Sequence, residues 1–156
     1  MLSSVLNKST CKNCGFCCEF EKADEWEIPV VNKQLAKQLE KKEIKVLKLN
    51  NNYSFDLEFE GKEIKKCPFL GENGCVLDDE NKPFDCKIWP IRVMEKQGKI
   101  YLTLAKTCPE FEKDDERIIK LSLELFEKIR DYVKNNRGAI KPYSPDYKII
   151  KEMEIR

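Results

Sequence analysis

The 156-residue sequence contains no histidine. Histidine is the commonest protein ligand for transition metals and the commonest general base near neutral pH. Its absence excludes catalytic zinc sites of the usual histidine-containing kinds, and it excludes Ser–His and Cys–His nucleophile pairs. A metal bound to this chain must therefore have other ligands, and proton transfer would fall to Lys, Tyr, Asp or Glu.

The sequence also lacks long apolar runs and an excess of either charge. No run of about 18 apolar residues occurs, so no membrane-spanning helix is expected. The first residues lack the apolar stretch and cleavage site of a secretory signal. Basic residues number 29 and acidic residues 28, so net charge gives no strong attraction to nucleic acid or to an anionic membrane. We therefore expect a cytoplasmic protein with reduced thiols, no membrane association and no nucleic-acid partner.

Local patterns in the first half predict a helix and a strand. The length suits one compact domain over residues 1–156. Asn32 is a suitable N-cap for a short helix to about Lys42, with apolar residues on one face. Apolar and polar residues alternate over 53–60, which predicts a strand, and Gly61-Lys62 is expected to turn the chain back.

The second half predicts a hairpin and a long helix. Residues 91–94 are expected to pair with 100–104 around Gln97-Gly98. Apolar residues at helical spacing predict one helix over 114–137, and two prolines in 138–156 favour an irregular tail. The predicted fold is therefore α+β: a small single domain with one or two β-hairpins, a cysteine-rich loop core and a long C-terminal helix.

Eight cysteines dominate the chemistry of the chain, and four of them fall within eight positions. Their spacing is C-x2-C-x2-C-C followed by four separate cysteines, and together they define a predicted metal-binding core over residues 11–109. The candidate metal ligands are Cys11, Cys14, Cys17, Cys18, Cys67, Cys75, Cys86 and Cys108.

The C-x2-C-x2-C triplet suits a metal centre because two intervening residues let a tight turn aim neighbouring sulfurs at one ion or cluster. Bacterial ferredoxins use this spacing with a distant Cys-Pro that completes the cubane. Cys67 and Cys108 are each followed by proline, so either could be the fourth ligand. Gly15 permits a positive φ, which would direct backbone amides at thiolate or sulfide.

The adjacent pair Cys17-Cys18 leaves two arrangements open. In an extended segment the two side chains point to opposite sides and can serve different centres. In a helical segment Cys11, Cys14 and Cys18 share a face, and Cys17 lies off it.

The metal itself is also open at this stage. A reducing compartment argues against a disulfide framework, and the clustering argues against inert buried thiols. A zinc ribbon would need a second C-x2-C knuckle, which the second half lacks. Scattered thiols that join a C-x2-C-x2-C triplet favour an iron–sulfur cluster, with [4Fe-4S] the favoured type and zinc the alternative.

Aromatic and basic residues flank the cysteines in sequence. The aromatic residues could shield a metal site or could simply belong to the core: Phe16, Phe20, Phe69, Phe84 and Trp89. The lysines could compensate thiolate charge: Lys12, Lys65, Lys66, Lys87 and Lys106.

The cysteine motifs resemble the CxxCxxCC cysteine-cluster family, also called YkgJ-type, which is described as a zinc- or iron-chelating domain. The matching segments are CKNCGFCC at 11–18, CPFL at 67–70, NGCVL at 73–77, KPFDCKIWP at 82–90, and Cys108. The resemblance implies that the eight cysteines occupy the family's cysteine positions. The chain has Lys82 and Lys87 where the family commonly has arginine, which keeps the charge and loses the bidentate fork.

Three classes of function follow from these observations. The leading hypothesis is an iron–sulfur protein for electron transfer or for metal and cluster handling, working with a protein or redox partner. The second is a zinc-binding structural or interaction module. The third is an iron–sulfur oxidoreductase, ranked last because the sequence contains no recognisable substrate or nucleophile motif.

Overall fold

A computed structural model describes residues 14–108 and 115–156 of the chain. Helices and strands are both well represented, with short hairpins and C-terminal helices, so the predicted α+β class is confirmed. Backbone contacts divide the chain into two compact units, Met1–Lys87 and Ile88–Arg156. None of the helices within the described ranges has the length and hydropathy needed to cross a lipid bilayer.

The regular helix α1 (Lys33–Lys41) belongs to the first unit. It begins after Asn32, whose side-chain oxygen accepts a 2.9 Å hydrogen bond from the amide of Leu35. This bond satisfies one of the amides that a helix start leaves without an intrahelical partner. Leu35, Ala36 and Leu39 are buried on one face of the helix. The predicted cap, extent and buried face of this helix are confirmed.

The strand predicted at 53–60 is shorter and pairs differently. β2 (Lys45–Leu49) and β3 (Asn52–Asp56) form an antiparallel hairpin. β3 ends because the Asp56 side chain accepts a 2.7 Å bond from the Glu58 amide and Glu58 adopts φ +52°. A non-glycine residue in this left-handed region leaves the extended path. Gly61 and Lys62 lie at a bend, and Lys65–Lys66 after them pairs with Glu19–Phe20 rather than with β3.

The remaining strands within residues 14–87 have two residues each. β1 (Glu19–Phe20) pairs antiparallel with β4 (Lys65–Lys66). β5 (Leu70–Gly71) pairs antiparallel with β6 (Gly74–Cys75). One four-residue helix follows, α2 (Phe84–Lys87). The segment that carries Cys67, Cys75 and Cys86 thus consists mainly of turns, as its proline and glycine content predicts.

Buried side chains from α1, the β2–β3 hairpin and the loops form the core of the first unit. The cluster comprises Phe20, Ile28, Val31, Leu35, Ala36, Leu39, Phe55, Leu57 and Phe69. Phe20 lies in β1 and Phe69 lies between Cys67 and β5. The short cysteine-bearing ladders are therefore connected directly to the packed core, which limits how far they can move.

The second unit begins with a regular hairpin. β7 (Ile91–Lys96) pairs antiparallel with β8 (Lys99–Ala105), and Ile91 lies opposite Leu104. Gln97 and Gly98 form the turn, with φ values of +53° and +77°. Two positive φ values give the tight turn that matches the twist of paired strands. The predicted hairpin and its turn are confirmed.

Two further strands complete a four-stranded sheet in the order β10-β8-β7-β9. β9 (Ile140–Pro142) runs parallel to β7, and β10 (Tyr147–Met153) runs antiparallel to β8. The prediction of an irregular tail over 138–156 is therefore wrong. Pro142 is compatible with a strand here because β9 is at the sheet edge, where a missing amide is tolerated.

Two consecutive helices replace the single helix predicted at 114–137. They are α3 (Asp115–Glu124) and α4 (Phe126–Asn135). The interruption at Leu125 is local, because its amide still bonds the Leu121 carbonyl and its carbonyl accepts the Ile129 amide, both at 3.0 Å. Ile118, Ile129 and Val133 are buried, which confirms the predicted apolar face. Residue 114, where the predicted helix begins, lies outside the described residues.

Candidate metal centre

The N-terminal cysteine segment contains a tight turn. Gly15 has φ +61° and ψ −3°, and the amide of Cys18 donates a 2.9 Å hydrogen bond to the Gly15 carbonyl. Residues Phe16–Cys18 form one turn of 3-10 helix, and β1 follows at once. The positive φ expected at Gly15 is confirmed. Cys17 and Cys18 are neither extended nor α-helical, and successive residues in a 3-10 turn diverge by about 120°.

A backbone hydrogen bond joins this segment to the next cysteine. The amide of Cys67 donates to the carbonyl oxygen of Cys18 at 2.7 Å. The bond continues the β1–β4 ladder, in which Glu19 lies opposite Lys66. The ladder therefore fixes Cys18 and Cys67 side by side, although they are far apart in sequence.

The Cys67 thiol has a strongly raised pKa. Burial raises this pKa to about 11, although the hydrogen bond from the Phe69 amide lowers it. The charges of Cys75 and Cys17 raise the pKa further, and the charge of Lys42 lowers it. Cys17, Cys67 and Cys75 therefore share one electrostatic neighbourhood. With that pKa the Cys67 thiol keeps its proton at neutral pH, so a metal that binds its sulfur must displace the proton.

Cys75 and Cys86 lie on the far part of the same segment, and both are exposed. Cys75 ends β6, opposite Leu70. Lys82 lies within electrostatic range of both thiols. Burial by itself lowers the pKa of Lys82, but a 3.1 Å bond to Asp79, the Asp79 charge and the charges of Cys75 and Cys86 outweigh it and raise the pKa. Lys82 is thus a cation held beside two of the predicted ligands.

The other two predicted ligands are placed differently. Cys108 is buried, belongs to the second unit and follows β8, with its amide directed at the Ala105 carbonyl at 3.5 Å. Cys11 lies outside the described residues. The structure therefore places Cys17 and Cys18 of the N-terminal segment near Cys67 and Cys75 of the later segment, and the assignment of all eight cysteines as ligands stays a prediction.

The chemistry of the donor set fits a thiolate-bound metal. The first unit offers Cys14, Cys17, Cys18, Cys67, Cys75 and Cys86, and thiolates suit iron–sulfur clusters and zinc. No disulfide joins any two of the seven cysteines in the described ranges. Within residues 14–108 and 115–156, no group of three or more Cys, Asp or Glu side chains is arranged to hold an ion.

Two residues near the cysteines were not recognised as site residues from the sequence. Lys42 donates a 3.1 Å hydrogen bond to the Pro68 carbonyl and lies 5.6 Å from the centroid of the Phe69 ring. Only the fold brings it to Cys67, so no sequence signal could have found it. Asp85 is 2% exposed and precedes Cys86. A lone acidic residue in the mostly apolar run Pro83 to Pro90 was an available signal for a buried polar contact.

The flanking aromatic and basic residues have mixed roles. Phe20 and Phe69 belong to the core, whereas Phe16 is 53% exposed between Cys14 and Cys17. Three of the lysines near cysteines bond backbone carbonyls at 2.8 to 2.9 Å: Lys65 to Glu58, Lys87 to Glu80 and Lys106 to Pro145. Their ammonium groups are thereby fixed in place, while Lys12 lies outside the described residues.

One comparison with known proteins gives a match. Residues 10–120 match the model of the CxxCxxCC family, described as "Putative zinc- or iron-chelating domain". No curated protein and no solved structure matches the chain. The matched range contains every cysteine of the sequence.

Proposed function

Because this chain belongs to the CxxCxxCC family of zinc- or iron-chelating domains, we propose that it holds an iron–sulfur cluster, favoured as [4Fe-4S], through cysteine thiolates. Metal chelation follows from the family, and the cluster is the finer proposal. The observation that carries it is the 2.7 Å backbone hydrogen bond that places Cys67 beside Cys18, with Cys17 and Cys75 close enough to act on the charge of the Cys67 thiol. Thiols from separate loops that meet a C-x2-C-x2-C segment are the ligand arrangement of a cubane.

The proposed role is electron transfer, or metal and cluster handling, with a protein redox partner. Four of the described cysteines in the first unit are exposed, namely Cys14, Cys17, Cys75 and Cys86. A centre near the surface shortens the distance to a partner's cofactor and allows a cluster to be loaded or passed on. We further propose a cytoplasmic location, where thiols stay reduced and available to iron.

Loading is expected to order the cysteine-bearing loops. Thiolate sites in small domains couple metal binding to local folding, and they release protons as thiols become thiolates. The protonated Cys67 thiol is one source of such protons. Lys42 and Lys82 supply positive charge next to the sulfurs and would offset the negative charge of a thiolate-bound centre.

The deciding experiment measures iron, zinc and acid-labile sulfide per chain on protein purified without air, together with its visible spectrum. The proposal expects about four iron and four sulfide per chain and a brown colour. A reversible one-electron reduction would support a role in electron transfer. If no such reduction occurs, metal or cluster handling is the remaining proposed role. Protein treated with chelator and then rebuilt with iron and sulfide should regain the same stoichiometry, which controls for adventitious iron.

A zinc-binding module is the second candidate. The turn from Cys14 to Cys17, with Gly15 at positive φ, is also suited to a C-x2-C pair that binds one zinc ion. One or two zinc ions per chain, without colour or redox response, would establish this alternative and contradict the cluster.

A further inference from the structure

Cys86 lies on a short helix next to a buried carboxyl group. α2 has only four residues, Phe84–Lys87. Within it Cys86 is exposed, whereas Asp85 is 2% exposed. Burial of an acidic side chain is unfavourable unless hydrogen bonds compensate for its lost hydration. Asp85 is therefore expected to have a specific structural task.

A hydrogen bond joins Asp85 to a distant part of the chain. Its Oδ2 accepts a 2.8 Å hydrogen bond from the amide of Val30. Val30 is 4% exposed, and its neighbour Val31 exchanges two backbone hydrogen bonds with Tyr53, of 2.8 and 3.0 Å. The amide that Asp85 engages thus belongs to a buried segment fixed to β3, which makes it a rigid anchor.

The other cysteine segments of this unit are joined by backbone ladders. Cys67 bonds Cys18 directly, and Cys75 lies in the β5–β6 ladder, which continues with the 2.9 Å bond from the Val76 amide to the Phe69 carbonyl. A four-residue helix cannot extend a strand ladder, because its backbone groups point along the helix axis. The Asp85 carboxylate instead joins the Cys86 segment to the rest of the unit, through its hydrogen bond with the Val30 amide.

We propose that Asp85 is a positioning residue for Cys86: its bond to the Val30 amide holds the Cys86-bearing turn where the sulfur can join the metal centre. The inference rests on the proposed function, since it takes Cys86 as a ligand. Substitution of a residue that orients a metal ligand typically lowers metal affinity by 10- to 100-fold. The hydrogen bond, rather than the charge, is the feature that matters here.

The test uses the full chain, reduced and metal-free, titrated with Co²⁺ under argon. Cobalt reports thiolate ligation through its sulfur-to-metal charge-transfer absorbance, whichever of iron or zinc is the natural occupant. Zinc affinity is measured in parallel by competition with a chelator. The variants are Asp85→Ala, Asp85→Asn, which retains an acceptor oxygen, and Cys86→Ser. Asp56→Ala is the matched control, because Asp56 also accepts an amide hydrogen bond, from Glu58, at an exposed site.

Cys86→Ser and Asp85→Ala should lose the same share of charge-transfer absorbance, and Asp85→Ala should weaken zinc binding by about tenfold or more. Asp85→Asn should keep the absorbance, and Asp56→Ala should match the parent chain. If Asp85→Ala is recovered only as insoluble protein, Asp85→Ser, whose shorter side chain cannot reach Val30, takes its place with the same expected loss.

Three results would overturn the inference. Asp85→Ala could lower the unfolding temperature of the metal-free chain and leave cobalt absorbance and zinc affinity unchanged, which would make Asp85 an ordinary fold residue. Asp85→Asn could lose as much cobalt absorbance and zinc affinity as Asp85→Ala, which would show that the negative charge of Asp85, rather than its hydrogen bond, supports metal binding. Cys86→Ser could leave the cobalt absorbance and the zinc affinity of the chain unchanged, which would show that Cys86 is not a ligand of the metal centre. A parent chain that binds no metal would instead contradict the proposed function itself.

Discussion

The amide of Cys67 donates a 2.7 Å hydrogen bond to the carbonyl of Cys18, across a sequence interval that contains α1 and the β2–β3 hairpin. The bond extends the two-residue ladder of β1 and β4. Phe20 of β1 is buried in the apolar core, so the pair of cysteines is fixed to the core of the first unit. Cys18 and Cys67 therefore form the stable side of the proposed centre.

Gly15→Ala is expected to weaken metal binding and to cost about 1 kcal/mol of stability, because φ is +61° and an L-residue is strained there. A Cβ at Gly15 would meet nothing within 4 Å, so the effect comes from the backbone. Gly15→Asn should retain more metal binding, since asparagine tolerates this region. Denaturant unfolding and zinc competition measure the two quantities.

Gly98→Ala is the matched control for that prediction. Gly98 has φ +77° and equally open surroundings, but it lies in the β7–β8 turn. Its alanine variant should lose similar stability and keep its metal affinity. Equal losses of metal affinity in both variants would show that general destabilisation, and not the cysteine turn, is responsible.

Phe69→Ala is expected to destabilise the chain by about 3–5 kcal/mol, the usual cost of truncating a buried phenylalanine. Phe69 is 3% exposed within the core cluster. Phe16→Ala removes the same atoms at a position that is 53% exposed, and it should change stability by no more than about 0.5 kcal/mol. Urea unfolding of the metal-free chain compares the two. Similar losses in both variants would contradict the separation of core and surface aromatics.

Removal of the metal is expected to loosen residues 67–87 selectively. The sequence alone predicts that loosening extends over 67–109, but 91–105 forms a hairpin within a four-stranded sheet. The segment 67–87 has two-residue strands and a four-residue helix, which have few bonds of their own. Hydrogen exchange before and after chelation should show faster exchange in 67–87 and unchanged protection in β7 and β8. Uniform acceleration through both segments would be the contrary result.

Lys82→Gln is expected to weaken metal binding by about threefold at low salt, because an ammonium group beside Cys75 and Cys86 is lost. Lys82→Arg should bind as the parent chain does. The control is Lys37→Gln, at an exposed position on α1, and it should have no effect. The difference between Lys82→Gln and the parent should shrink as salt rises. A salt-independent loss would point to packing rather than charge.

Elements with a complete local signal were predictable from the sequence. The Asn32 cap, the buried face of α1 and the β7–β8 hairpin depend on residues close in the chain, so periodicity and turn chemistry identify them. The same holds for the positive φ of Gly15. The C-terminal strands were missed because β9 and β10 are stabilised by β7 and β8, and because Pro142 and Pro145 suggested an irregular segment.

The sequence by itself determined the chemistry of this protein. Eight thiols and no histidine make cysteine sulfur the favoured metal ligand, and the C-x2-C-x2-C-C spacing identifies the family. The tertiary structure alone decided which thiols become neighbours: it paired Cys18 with Cys67, brought Lys42 to Cys67, and joined Asp85 to Val30. The reason is that strands of two residues have almost no intrinsic preference, so their partners are set by the packing of distant core residues rather than by local sequence.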